Sequence, residues 1–258
     1  MCTDATLKVP AHGPAGEVET TPCTADSGLP VLYGGEALVL LPARAVWWPA
    51  QRTIFIADTH FGKEATFRAA SIPVPDQTTA LLQRISSIIS ATSAARLMIL
   101  GDLIHARRGR CSATFRLIAE WRQANRNALE VLLVRGNHDL AAGDPPLDWH
   151  IRCVSDPESL GPFALTHIPP ASAAPLENPV LAGHLHPVVR LSGPGRDSLR
   201  LPCFLLRSHV LVLPAFSDFV DGKVTQIESE DRVFAVADQQ VLEVPLRPSG
   251  ARQPRVRR

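Results

Sequence analysis

Five short pieces of this 258-residue chain carry side chains that bind divalent metals. They are Asp58-Thr59-His60, Gly101-Asp102, Gly136-Asn137-His138-Asp139, the lone His167, and Gly183-His184-Leu185-His186. Carboxylates, an amide oxygen and imidazoles are all present, and no cysteine lies in any piece. That donor set suits Mn, Fe or Zn, whereas thiolates would have narrowed it to Zn or an iron–sulfur cluster. Two such ions about 3.5–4 Å apart clamp the attacking and leaving oxygens of a phosphoryl displacement and lower the pKa of water. A single D-x-H would read as a polar loop end capping a turn, a routine use of Asp and Asn. Five pieces in this order point instead to one reaction centre.

Each piece needs an element to hold it. Thr53-Ile54-Phe55-Ile56-Ala57 is a short apolar run rich in β-branched and aromatic residues, which predicts a buried strand ending at Asp58. Leu97–Leu100 leads into Gly101-Asp102, Val131–Val134 into Gly136-Asn137-His138, Phe163–Leu165 into His167, and Val180–Ala182 into His184. Ligands at strand ends place the site along one rim of a sheet, on loops that a rigid scaffold positions. Gly101, Gly136 and Gly183 are expected to let the backbone turn sharply there.

These pieces resemble the motifs of the calcineurin-like metallophosphoesterase superfamily, in order and without degradation. The resemblance implies that Asp58, His60 and His186 hold the first metal, Asp102 bridges both, and Asn137, His167 and His184 hold the second. His138 is not a ligand in that pattern; it faces the metals, stabilises charge on phosphorus and helps the leaving oxygen depart. The implied fold is α/β, a two-sheet sandwich flanked by helices in four layers.

Net charge is +1, so no global electrostatic signature of a nucleic-acid binder exists, and any basic groove must be local. Five cysteines, at 2, 23, 111, 153 and 203, are scattered and odd in number, which argues against a disulfide framework and for a reducing compartment. No N-terminal stretch has the form of a signal peptide, and the apolar run 37–41 ends at Pro42, so a cytoplasmic protein with no membrane segment is expected.

Residues 1–30 lack apolar periodicity and read as a disordered extension. The phosphoesterase domain is expected over 31–246, and the arginine-rich tail 247–258 reads as disordered. Residues 37–48 predict one or two strands ending in Trp47-Trp48, a pair that reads as packing more than as a base-stacking platform. Leu81, Leu82, Ile85, Ile88 and Ile89 recur at helical spacing behind Pro75-Asp76, which predicts a helix to about Ala91. Ser112 is placed to cap a second helix, 113–127, with Phe115, Ile118 and Trp121 on its inner face. Beyond residue 150 short strands dominate, at 162–168, 187–192, 199–206, 209–214, 232–237 and 240–244, with a hairpin turn at Gly193–Asp197.

The substrate rests on finer features. The protein Ser/Thr phosphatase branch has an aspartate three residues after the bridging one. His105 stands there instead, which resembles the repair exonuclease branch, where such a histidine assists at the phosphodiester; a supporting or packing histidine is the other reading. Ala57–Arg68, Ile72–Pro75, Gly101–Arg110, Gly183–Pro187, Leu201–Phe204 and Leu213–Phe216 together are similar to the DNA ligase-associated metallophosphoesterases of bacteria over roughly 33–245. That resemblance implies a Mn-dependent DNA phosphodiesterase or endonuclease that works with a DNA ligase and a helicase in repair. Lys63, Arg68, Arg107, Arg108 and Arg110 are candidates to hold a phosphate backbone, with Lys63, Arg107 and Arg110 foremost. Two other functions fit the same sequence: a phosphodiesterase or phosphatase for small molecules or nucleotides, and a metal-containing scaffold for repair partners.

Overall fold

The structure, a computed structural model, describes residues 27–69, 71–72, 74–170, 178–192 and 198–245. Residues 1–26 of the expected extension, all of the tail and the 193–197 turn lie outside these residues.

Seven strands build the first sheet in sequence order: β1 (Leu29–Tyr33), β2 (Glu36–Leu41), β3 (Ala45–Trp48), β4 (Thr53–Ile56), β5 (Arg96–Leu100), β6 (Glu130–Val134) and β7 (Ile151–Val154). β1 to β4 pair antiparallel and β4 to β7 parallel. The helices are α1 (Lys63–Ala69), α2 (Gln77–Thr92), α3 (Ser112–Asn125) and α4 (Asn137–Ala142). Nine strands build the second, mixed sheet: β8 (Glu158–Leu160), β9 (Phe163–Thr166), β10 (Val180–Ala182), β11 (Pro187–Ser192), β12 (Ser198–Arg207), β13 (Val210–Val212), β14 (Lys223–Val224), β15 (Arg232–Ala237) and β16 (Gln240–Val244). β9, β10 and β13 run parallel, and β11 and β12 pair antiparallel on either side of residues 193–197.

The central strands are apolar throughout because both their faces are covered. Alternation divides the work. Ile54, Ile56, Leu97, Ile99, Val131 and Leu133 point to a core shared with Leu81, Leu82, Ile85 and Ile88 of α2 and Ile118 of α3. Phe55, Met98, Leu100, Leu132 and Val134 point the other way, into the inter-sheet core with Phe163, Leu181, Phe204 and Phe234. Trp48 lies in this second core, edge-on to Phe163 at 5.1 Å, with its indole N–H donated to Glu36 (2.9 Å), so the tryptophan is packing, as expected.

The outer face of the second sheet has its own cluster, including Val180, Leu205, Val212 and Val233, to which no described helix contributes. The sandwich is therefore as expected, with its packed α-helices on the first sheet's outer face among the described residues. Asp76 caps α2, its carboxylate accepting from Thr79 N (3.3 Å). Cys111 occupies the N-cap of α3, and Ser112 is the first helical residue with no capping bond, one position away from the expected role. Folded structure also begins before Val31: Leu29 and Pro30 belong to β1, an edge strand where a proline's missing N–H can face outward. No helix of the described residues is long and apolar enough to cross a membrane.

Candidate metal centre

Parallel strands end at the same rim, where α/β sheets place their ligands. β4, β5 and β6 deliver Asp58, Asp102 and Asn137; β9 and β10 deliver His167, His184 and His186. The loops are tied together by their backbones. Asp58 N donates to Gly101 O (3.2 Å), His60 N to Asp102 O (2.9 Å), Gly183 N to His167 O (3.0 Å) and Phe216 N to Ala57 O (2.8 Å).

The side chains converge in two groups. Asp58, His60 and His186 form one, and Asp102, His167 and His184 the other, each with its ligand atoms within 4.8 Å of one another. In the first, Asp58 Oδ1 lies 3.1 Å from His186 Nε2 and 3.9 Å from His60 Nε2. All three of these atoms are buried without a hydrogen-bond partner. Such orphans are rare in folded proteins and call for an explanation. In the second group, His167 Nδ1 donates to Leu100 O (3.0 Å), which leaves a lone pair on Nε2. That lone pair faces Asn137 Oδ1 at 3.0 Å and Asp102 Oδ2 at 3.4 Å. Acceptors that converge on one point, together with three orphaned buried atoms, are what a cation-binding site presents. The residues fit a pair of divalent metals.

Backbone donors orient the carboxylates. His184 N–H holds Asp58 Oδ2 (2.9 Å), turning Oδ1 inward. His138 N–H holds Asp102 Oδ1 (2.9 Å), leaving Oδ2 between His60 (3.7 Å) and His167. The His138 ring donates from Nδ1 to His105 O and presents Nε2 3.9 Å from Asp102 Oδ2. His105 stacks on His138 at 5.2 Å, and its Nδ1 lies 3.2 Å from His60 Nδ1. Crowding and burial shape the charges. Burial, then the neighbouring His138, His186, His105 and Lys63, lowers the His60 pKa to about 2. His105 is lowered to about 4, first by burial, and burial raises Asp102.

The glycines serve mostly by being small. Gly101 has the positive φ that a sharp turn requires (83°), but Gly136 and Gly183 do not. A Cβ at Gly136 would lie 2.2 Å from Asp102 Oδ1, and one at Gly183 2.8 Å from Asp58 Oδ2. The turns are made instead by the ligands: Asp58, His60, Asp102, His184 and His186 all adopt positive φ, between 46° and 71°.

The predicted basic residues divide. Lys63 opens α1 beside the histidines, and burial lowers its pKa while Asp221 opposes the shift. Arg107 Nε donates to Ala141 O (3.1 Å), and Arg110 Nη1 to the carbonyls of Ala142, Gly143 and Asp144 (2.9–3.1 Å). Both tether the end of α4, the exposed Arg107 through Nε and the half-buried Arg110 through Nη1. Arg68 is exposed on α1. Two positioning residues carried no sequence signal of that role. Asp156 Oδ2 accepts from His167 N (2.9 Å) and Ile168 N (3.4 Å). Buried Asp139, part of the G-N-H-D piece, accepts from Gly136 N (2.9 Å) and Ile104 N (3.2 Å), joining two ligand loops.

Comparison with known proteins agrees with this geometry. The calcineurin-like phosphoesterase profile matches residues 51–200. The nuclease MPE of Pseudomonas putida is 39% identical, aligned over 84% of this chain and all of that one, with a TM-score of 0.72. Yfce, a phosphoesterase from E. coli, is 18% identical over 74% of this chain and 97% of its own, with a TM-score of 0.40. Curated protein sequences give no match. The chain belongs to the calcineurin-like phosphoesterase family, metal-dependent hydrolases of phosphoester bonds.

Proposed function

We propose that this protein is a dimetal-dependent phosphodiesterase that cleaves DNA, an endonuclease acting in DNA repair in the cytoplasm together with a DNA ligase and a helicase. The observation that carries the DNA substrate is the 39% identity to a nuclease over that protein's whole length. The complete ligand set supports the chemistry. Asp58, His60 and His186 would hold one cation, Asn137, His167 and His184 the other, and Asp102 would serve both. Mn is the metal proposed; the same oxygen and nitrogen donors accept Fe or Zn.

When bound, two divalent cations neutralise the phosphoryl oxygens and make hydroxide available at neutral pH. The protein supplies preorganisation. Its carboxylates are already aimed by backbone N–H groups, so little reorganisation accompanies the reaction. His138 Nε2, fixed in place through Nδ1, faces the same space and carries the proton to the leaving oxygen. His105 sets the His138 ring by stacking and through its carbonyl, and assists there at the phosphodiester. Lys63 meets a substrate phosphate at the rim.

One observation favours a smaller substrate. Arg107 Nε and Arg110 Nη1 already bond carbonyls 141–144, which ties down part of the basic cluster beside the rim. The deciding experiment strips the protein, reloads it with Mn and supplies circular single-stranded DNA, with His138→Ala in parallel. Linear product from the wild type alone establishes the endonuclease. An intact circle, with a small aryl phosphodiester still hydrolysed, establishes the smaller substrate.

A further inference from the structure

Arg122 is 2% exposed, and no other lysine or arginine among the described residues is buried. Its Nε donates to Trp149 O (2.8 Å), Nη1 to Leu129 O (3.4 Å), and Nη2 to Leu129 O (3.5 Å) and His150 O (3.4 Å). These are four bonds from five N–H groups, all to neutral carbonyls. No described carboxylate pairs with it, although buried charges are normally paired. The carbonyls explain why Arg122 stays folded inward. They do not explain what surrounds it.

Beside Arg122 opens a cavity of about 480 Å³, lined in part by Arg122, Arg126, Asn127, Glu130, His150 and Arg152. Arg126 has no side-chain partner among the described residues, and Arg152 holds Glu158 through Nη2 alone (2.8 Å). Three arginines and one carboxylate, Glu130, therefore line the cavity. The cavity lies at the start of β6, whose far end leads to Asn137. Five strand residues at about 3.3 Å each put it about 17 Å from the metal rim.

We propose that this cavity is a second anion site, which holds a phosphate group without cleaving it. Arg126 and Arg152 carry planar forks suited to bidentate phosphate contact, and the buried Arg122 lines the same depression. The phosphate can come from a nucleic-acid strand or from a free phosphate compound. The site uses none of the metal ligands and stands whether or not the enzyme cleaves DNA.

The test compares metal-loaded wild type with the Arg126→Ser/Arg152→Ser double variant. Both positions are exposed, so folding is retained, which matched thermal melts verify. One arm titrates inorganic phosphate calorimetrically. The other measures binding of a labelled single strand in the His138→Ala background, where the strand stays intact. The double variant is expected to lose about tenfold or more in affinity, the size of one lost charge-assisted hydrogen bond. Loss in the phosphate arm identifies a free phosphate compound; loss confined to the DNA arm identifies a strand. Unchanged affinity in both arms, or no binding of either probe by the wild type, overturns the site.

Discussion

Gly101→Ala separates backbone strain from ligand displacement. Gly101 sits at φ 83°, and a Cβ there would lie 2.1 Å from His167 Nδ1 and 2.4 Å from His167 Cγ. To restore an ordinary contact of 3.4 Å, the ring must retreat by about 1.3 Å. The retreat breaks the 3.0 Å bond from Nδ1 to Leu100 O and carries Nε2 away from Asn137 and Asp102. Positive φ alone costs an alanine about 1–2 kcal/mol, and the lost hydrogen bond adds about 0.5–1.5 kcal/mol. Gly35→Ala is the control, with φ 79° and nothing within 4 Å of the added carbon. Urea denaturation should therefore show Gly35→Ala about 1–2 kcal/mol less stable than wild type and Gly101→Ala about 1.5–3.5 kcal/mol less stable. Elemental analysis after dialysis should find two equivalents of Mn in wild type and Gly35→Ala but close to one in Gly101→Ala. Full stoichiometry in Gly101→Ala, with a stability loss equal to that of Gly35→Ala, would refute the placement of His167 as a ligand.

Asp156→Ala, which leaves His167 N and Ile168 N without their acceptor, should weaken the second Mn selectively, while Asp156→Asn should restore it; equal Mn affinity in both variants counts against positioning by Asp156. Phe163→Ala removes the ring between Tyr33 and Trp48 and should cost about 3–5 kcal/mol in denaturant unfolding. The chain has one tyrosine, and burial raises its pKa above the ordinary 10 while the phenol donates to Val180 O (2.8 Å) and His209 O (2.6 Å). The neutral form favours the fold, so this stabilisation is full below pH 10 and is lost as pH rises beyond it. Absorbance at 295 nm should thus show no phenolate until the protein unfolds. Burial likewise raises Cys153 to about 11 and Cys203 to about 12, so iodoacetamide at pH 8 should modify neither until denaturant is added.

Strand-end chemistry was legible because two signals coincide there. An apolar run with no polar face, as in Thr53–Ile56 or Val131–Val134, says that the strand is buried on both sides, and the first polar residue after it must lie at a rim. The same logic failed where an element lacks such contrast. β1 carries Pro30 and a mixed burial pattern at a sheet edge, and merges into the polar stretch before it. α1 is seven residues long, and its buried polar residue, Glu64, bonds Thr78, which local periodicity does not reveal. The arginines of 107–110 looked like a phosphate clamp because spacing reports proximity to the motif. Only the fold shows that Arg107 Nε and Arg110 Nη1 also bond the carbonyls ending α4. Asp156 lies eleven residues before His167 and meets it only because β8 and β9 form a hairpin.

The positive φ of five ligands explains why the motif is dense with glycine yet, Gly101 apart, does not use glycine for its turns. A left-handed non-glycine residue costs about 1–2 kcal/mol, and such strain persists only where the surroundings over-determine it. Here they do. Asp58 is held at its N–H by Gly101 O and at its carboxylate by His184 N–H. Asp102 is held at its carbonyl by His60 N–H and at its carboxylate by His138 N–H. The turns at Asp58 and Asp102 are thus held by the backbones of neighbouring ligand loops, and Gly136 and Gly183 are small so that these backbones can approach the carboxylates. A turn built this way points one carboxylate oxygen outward to a fixed donor and the other inward without a protein donor. The strain, the orphaned inward atoms and the glycine spacing are one device: a rim whose own backbone aims its acceptors inward.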